Sequence, residues 1–205
     1  MIVFLDWQHA GKPGSRINDR GATGDLNQDG KPQINELEAY WTGKLMFDIF
    51  FSLYQLKIPT IVLSDGWYRD RAARAETYCN GEKSVYIALH YNALRGGLSD
   101  NSGTYGTVFY DFRSGTNNGP KLAALIAGNL ENHLPELSRA RALAARPDDW
   151  TRRAYSTISH VRTPVGICLE SAFIDALQHK NLFTPDGITR TSRAVVKGLK
   201  QFNNQ

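Results

Sequence analysis

The stretch SVYIALHYNA, Ser84 to Ala93, decides how the chain folds. A short, continuous apolar run ends abruptly in His90, which is how a strand buried within a layered sheet reads. Outward from it, comparable runs recur at Ile2 to Leu5, at TIVLS from Thr60, at GTVFYDF from Gly106 and at VGICLE from Val165. Amphipathic stretches separate them: Glu36 to Gln55, a second from Arg69, Gly119 to Asn132 and Thr189 to Phe202. This alternation predicts an α/β fold, a layered sandwich whose twisted, largely parallel sheet of about six strands is flanked by helices. With 205 residues, 41% of them hydrophobic, the chain can bury one substantial core, so a single domain over residues 1–205 is expected.

Composition narrows the classes of function. The balance of 24 basic against 20 acidic residues leaves +4, which favours anionic polymers without singling out nucleic acid. No nucleic-acid-reading module appears, and no nucleic-acid partner is expected. MIVFLDW at the start has no basic leader and no small-residue cleavage site, so it reads as a first strand, not a signal peptide. No later run reaches the length of a membrane span, so no stable membrane insertion is expected. Cys79 and Cys168 lie far apart without zinc-type pairing and read as buried or idle thiols of a chain folded in a cytosol.

Three polar residues occupy equivalent places at the ends of apolar runs: His9 after IVFLDWQ, His90 after VYIAL and Glu170 after VGICL. In open α/β sheets the carboxyl ends of the strands converge on one crevice, so these residues can meet there. Two histidines near an acidic helix start suit catalytic zinc, which needs three N/O ligands and an open position. Without a metal, each residue has a plainer use as a hydrogen-bonded strand-end group, the reading given to His133, His160 and His179. For the third ligand, Glu36 and Glu38 compete. On a regular helix at about 100° per residue they point roughly 200° apart. Glu38 heads the apolar stripe Trp41, Leu45, Ile49, whereas Glu36 heads the wetter face Tyr40, Lys44, Asp48. A carboxylate on an apolar stripe is costly unless a cation or hydrogen bonds compensate it, which favours Glu38. Its alternative role is that of a helix-start acid favoured by the dipole.

These residues resemble the zinc-dependent N-acetylmuramoyl-L-alanine amidases of the type-3 class. Members show Asp-Pro-Gly-His-Gly-Gly after the first strand, a glutamate opening the first long helix, Ser-Ile-His-Ala-Asn-Ala after a central strand and Leu-Val-Glu-x-Gly-Phe near the end. This chain has DWQHAG, ELEAYWTGKL, ALHYNA and ICLESAF in the same order and at similar spacing. The resemblance implies hydrolysis of the peptidoglycan amide between N-acetylmuramic acid and L-alanine. It also implies zinc on His9, Glu38 and His90, Glu170 as the catalytic carboxylate and Asn92 as a substrate-binding candidate. The family's helix glutamate is usually followed four residues later by Asn or Thr, and Glu38 with Thr42 satisfies that. Trp7 and Gln8 depart from the usual Pro-Gly, and Ala172 replaces a common glycine.

Two further segments carry expectations. DLNQDGKPQINE offers the oxygen ligands of a twelve-residue calcium loop: Asp25, Asn27, Asp29, the Lys31 carbonyl and Glu36. Pro32 stands where a branched apolar residue is usual, and a metal-free turn rich in Asp, Asn and Gly explains the same residues. Five arginines between Arg139 and Arg153 read either as a solvated face or as a cationic rim for acidic stem peptides or anionic wall polymers. The expected role is that of a phage or prophage lysis enzyme, made in the host cytoplasm without a signal peptide, acting on peptidoglycan after release and working as a monomer. A cytosolic recycling role is a variant of the same chemistry. The alternatives are a zinc peptidase cutting within the stem peptide and a non-catalytic, calcium-stabilised wall-binding module.

Overall fold

A computed structural model of the chain describes residues 1–9, 21–24, 33–79, 82–93, 104–113, 118–162 and 164–205. Its elements follow in the order β1 (Ile2–Trp7), α1 (Glu38–Gln55), β2 (Thr60–Leu63), α2 (Tyr68–Cys79), β3 (Ser84–Asn92), β4 (Tyr105–Asp111), α3 (Asn118–His133), β5 (Arg139–Ala145), α4 (Arg152–Ile158), β6 (Val165–Phe173) and α5 (Pro185–Asn203). The six strands form one sheet in the order β2-β1-β3-β6-β4-β5. All neighbours run parallel except β4 and β6, which are antiparallel. The carboxyl ends of β1, β3 and β6 therefore share one edge with the amino ends of β4 and β5.

Strand alternation sorts the core into two layers. Val85, Ile87 and Leu89 of β3, with Ile167 and Leu169 of β6, join the larger cluster formed with α1, α3 and α5. Tyr86, Ala88 and Cys168 face the smaller cluster, with residues of α2 and α4. By the same period of two, His90 and Glu170 follow onto the α2/α4 face, where they pair in register on adjacent strands about 4.8 Å apart. Both sheet faces are covered, so the central strands read as unbroken apolar runs.

Three stretches differ from the sequence reading. The arginine-rich stretch forms β5 and α4: RARALAA alternates Arg with Ala and pairs only at the sheet edge, so no apolar run announces it. Helix α5 begins at Pro185, four residues before the expected Thr189, because Thr184 caps it by accepting from the Gly187 amide at 3.1 Å. Helix α1 begins at Glu38. Glu36 closes a separate 3₁₀ turn, Ile34–Glu36, and the extended backbone of Leu37 breaks the two apart. The expectation that Glu36 lies on a wet helix face is thus corrected: it is buried. Its Oε2 accepts from the Gln33 amide at 2.8 Å. The break arises because residues 22–24 pair with 36–38, Glu38 N donating to Ala22 O and Gly24 N to Glu36 O.

Candidate metal centre and active site

At the edge where β1 and β3 end, three side chains from separate elements converge. His9 stands two residues beyond β1, Glu38 is the first residue of α1 and His90 lies near the end of β3. His9 Nε2 lies 3.2 Å from His90 Nδ1 and 3.3 Å from Glu38 Oε1, and His90 Nδ1 lies 2.9 Å from the same oxygen. Tetrahedral zinc with nitrogen ligands at about 2.0–2.1 Å has ligand–ligand edges of roughly 3.3 Å, so this triangle has the dimensions and donor set of a three-ligand zinc site. Among the described residues it is the one group of three or more His, Cys, Asp or Glu side chains able to hold a metal.

The carboxylate of Glu38 is fixed from two sides. Ala22 N donates to Oε2 at 2.7 Å, and Tyr91 N donates to Oε1 at 3.0 Å. Burial raises the Glu38 carboxyl, but the hydrogen bonds and charge of His9 and His90 outweigh it and hold the group well below the usual carboxylate range. Gly21 makes the packing possible: a Cβ there would meet Glu38 Oε2 at 2.5 Å and His9 Cδ2 at 2.8 Å, and its φ of +70° is one that side chains resist.

Beside the triangle, a pocket of about 480 Å³ is lined by His9, Glu38, His90, Asn92, Arg153 and Glu170, among others. Burial, with help from the charge of Glu38, pushes the Glu170 carboxyl up to about 7, although His90 and Arg153 pull it back. A carboxyl so tuned can both accept and release a proton near neutrality. Asn92 sits on the pocket wall beside a break in the β3–β6 register, its Oδ1 accepting from the Ala93 amide. A larger cavity, about 900 Å³, lies on the other side of α4 around Arg69, Arg113 and His160 and contains none of the three converging residues.

The remaining sequence candidates fall elsewhere. Asp25, Asn27, Asp29 and Lys31 lie outside the described residues, and Glu36 is engaged with the Gln33 amide. The arginines of the 139–153 stretch are shared between β5, the loop after it and α4. Arg141 packs over the Tyr105 ring at 4.2 Å and Arg146 over Phe112 at 5.4 Å, while Arg153 lines the pocket. The sequence reading missed Gly21 and the Ala22 amide, and the glycines of RGATG were the only signal for them.

No protein-family model and no curated protein sequence matches the chain. Solved structures do. N-acetylmuramoyl-L-alanine amidase AmiC2 of Nostoc punctiforme superposes with a TM-score of 0.74 at 14% identity, covering 100% of this chain and 98% of that one. The N-acetylmuramoyl-L-alanine amidase from Clostridium difficile 630 gives 0.74 at 16% identity, covering 100% and 97%. The catalytic domain of the CD27L endolysin targeting Clostridia difficile gives 0.63 at 16% identity, covering 98% and 97%. The chain has the type-3 N-acetylmuramoyl-L-alanine amidase fold.

Proposed function

We propose that this chain is a zinc-dependent N-acetylmuramoyl-L-alanine amidase, hydrolysing the peptidoglycan amide between the lactyl group of N-acetylmuramic acid and L-alanine. The observation that carries the reading is the triangle of His9 Nε2, Glu38 Oε1 and His90 Nδ1 beside the raised-pKa carboxyl of Glu170. The fold shared with solved amidases supports it. Zinc held by His9, Glu38 and His90 would supply a Lewis acid for the scissile carbonyl and a lowered pKa for an attacking water. Glu170 takes a proton from that water as its oxygen bonds to the carbonyl carbon. The same carboxyl then gives the proton to the L-alanine nitrogen as the C–N bond breaks. The amides of Ala22 and Tyr91 keep the Glu38 carboxylate aimed throughout. Asn92 and Arg153, on the same wall, contact the substrate, Arg153 offering a cation to the acidic stem peptide.

The biological role we assign is lysis of a bacterial wall by a phage or prophage enzyme, made in the cytoplasm and acting after release as a monomer. The shared fold of an endolysin catalytic domain supports this role. Digestion of purified peptidoglycan with the zinc-loaded protein is expected to release free L-alanine amino groups, and Glu170→Ala to abolish that release. New termini inside the stem peptide would replace the amidase reading with a peptidase, and binding without cleavage would remove both.

A further inference from the structure

We propose that Trp7 and Gln8 form a clamp that presets His9 against Glu38, so that the metal triangle is assembled before any metal arrives. The inference rests on the reading of His9, Glu38 and His90 as ligands. Two of the three are held by regular structure: His90 lies within β3, and both carboxylate oxygens of Glu38 accept backbone amides. His9 lies beyond the end of β1 with φ 61°, a left-handed conformation uncommon for a residue with a side chain. The two residues before it are held from both sides.

Trp7 ties this segment to the helix that carries Glu38. Its indole Nε1 donates to Ala39 O at 3.2 Å, one residue past Glu38. The ring fills a notch left by Gly43, where a Cβ would stand 2.8 Å from Trp7 Cζ2. Gln8 ties the segment down on the other side. Its buried side chain donates from Nε2 to Asp6 Oδ2 and accepts from an Arg71 guanidinium nitrogen at 3.3 Å. Arg71, from α2 and itself buried, pairs with Asp6 at 3.0 Å and donates to Trp7 O at 3.3 Å, and the Tyr86 hydroxyl donates to Asp6 as well. Thr42, one turn after Glu38, places its Oγ1 3.3 Å from Gln8 O. The backbone on the amino side of His9 is thus gripped from α1 and α2 together. In this chain Trp7 and Gln8 stand where the type-3 motif has Pro-Gly, and their side chains hold the turn.

Trp7→Phe keeps an aromatic ring, smaller than the indole, and removes the indole donor, and Gln8→Ala removes the tie to Asp6 and Arg71. Both are to be compared with the unaltered protein and with Ile126→Val, which thins the core on the distant helix α3. Three quantities are read: zinc affinity of the metal-free protein by chelator competition, its Tm, and the ring NMR signals of its histidines. The expected result is a loss of about tenfold or more in zinc affinity for Trp7→Phe and Gln8→Ala, in the range seen when groups behind metal ligands are removed. His9 ring signals should shift in the metal-free state. Ile126→Val should lower Tm and leave affinity unchanged. A fall in Tm with unaltered affinity would mark Trp7 and Gln8 as ordinary core residues and overturn the proposal. Should the unaltered protein bind no zinc, the proposed function falls, and the clamp is judged on the metal-free NMR: unchanged His9 signals in both variants overturn it.

Discussion

At Gly21 a single hydrogen atom in place of a methyl group lets His9 and Glu38 approach. Gly21→Ala would push a carbon to within 2.5 Å of Glu38 Oε2 at a backbone φ of +70°. The variant is expected to stay folded by circular dichroism, yet to lose zinc affinity by at least about tenfold, as second-layer changes at metal sites do. Zinc content by elemental analysis checks it, and a full complement of tightly held zinc would show that the glycine is dispensable. Glu170 gives a different kind of test. Its carboxyl, ordinarily near 4.5, is raised to about 7 in the folded chain. Well below 4.5 both folded and unfolded chains keep the proton. Between 4.5 and 7 the unfolded chain ionises first, so stability is lost as pH rises through that window. Glu170→Gln should therefore raise the Tm of the metal-free protein at pH 8 by a few degrees and leave it unchanged at pH 4. Equal Tm values at pH 8 would mean that Glu170 carries no such strain.

Elements decide which glutamate joins the two histidines. The helical-wheel argument chose Glu38 over Glu36 on the apolar stripe, and Trp41, Leu45 and Ile49 are indeed buried. The physical separation of the two has another source: Leu37 is extended, the helix starts after it, and Glu36 closes a 3₁₀ turn. Glu36→Gln is accordingly expected to leave zinc affinity intact, whereas Glu38→Gln should reduce it by orders of magnitude because an anionic ligand becomes a neutral amide. Calorimetric titration of both variants separates them, and equal losses would restore Glu36 to the site. At the far end of the chain, Thr184 caps α5 through the Gly187 amide. Thr184→Ala should cost about 1 kcal/mol, a fall of roughly 2–4 °C in Tm for a chain of this size by thermal melt.

For the whole molecule, a metal held by His9, Glu38 and His90 would couple the ends of β1 and β3 to the start of α1 and so should stabilise the fold as a unit. Zinc at about 100 times its dissociation constant adds about 2.7 kcal/mol, a rise of roughly 5–10 °C in Tm that a chelator reverses. A Tm indifferent to both zinc and chelator would contradict a site spanning three elements. Most of the layered fold was legible in the chain because its central strands are covered on both faces and so write themselves as apolar runs: Val85 to Leu89 is fully buried. The edge strand β5 was not, since half-covered Arg-Ala alternation carries no such mark.

His9, His90 and Glu170 were legible for a related reason. A polar residue directly after a buried strand has few places to go except the common edge of the sheet. By itself, then, the sequence determined the layered α/β fold, the identity of the converging side chains and the preference for Glu38. Only the tertiary structure decided the rest. The 2.9–3.3 Å triangle, the Gly21 contact, the amides holding Glu38 and the grip on Trp7 and Gln8 join residues up to 81 positions apart. The physical reason is that distances between elements, and the raised carboxyl of Glu170 with them, are set by packing and burial across the sheet edge, which no local pattern of residues encodes.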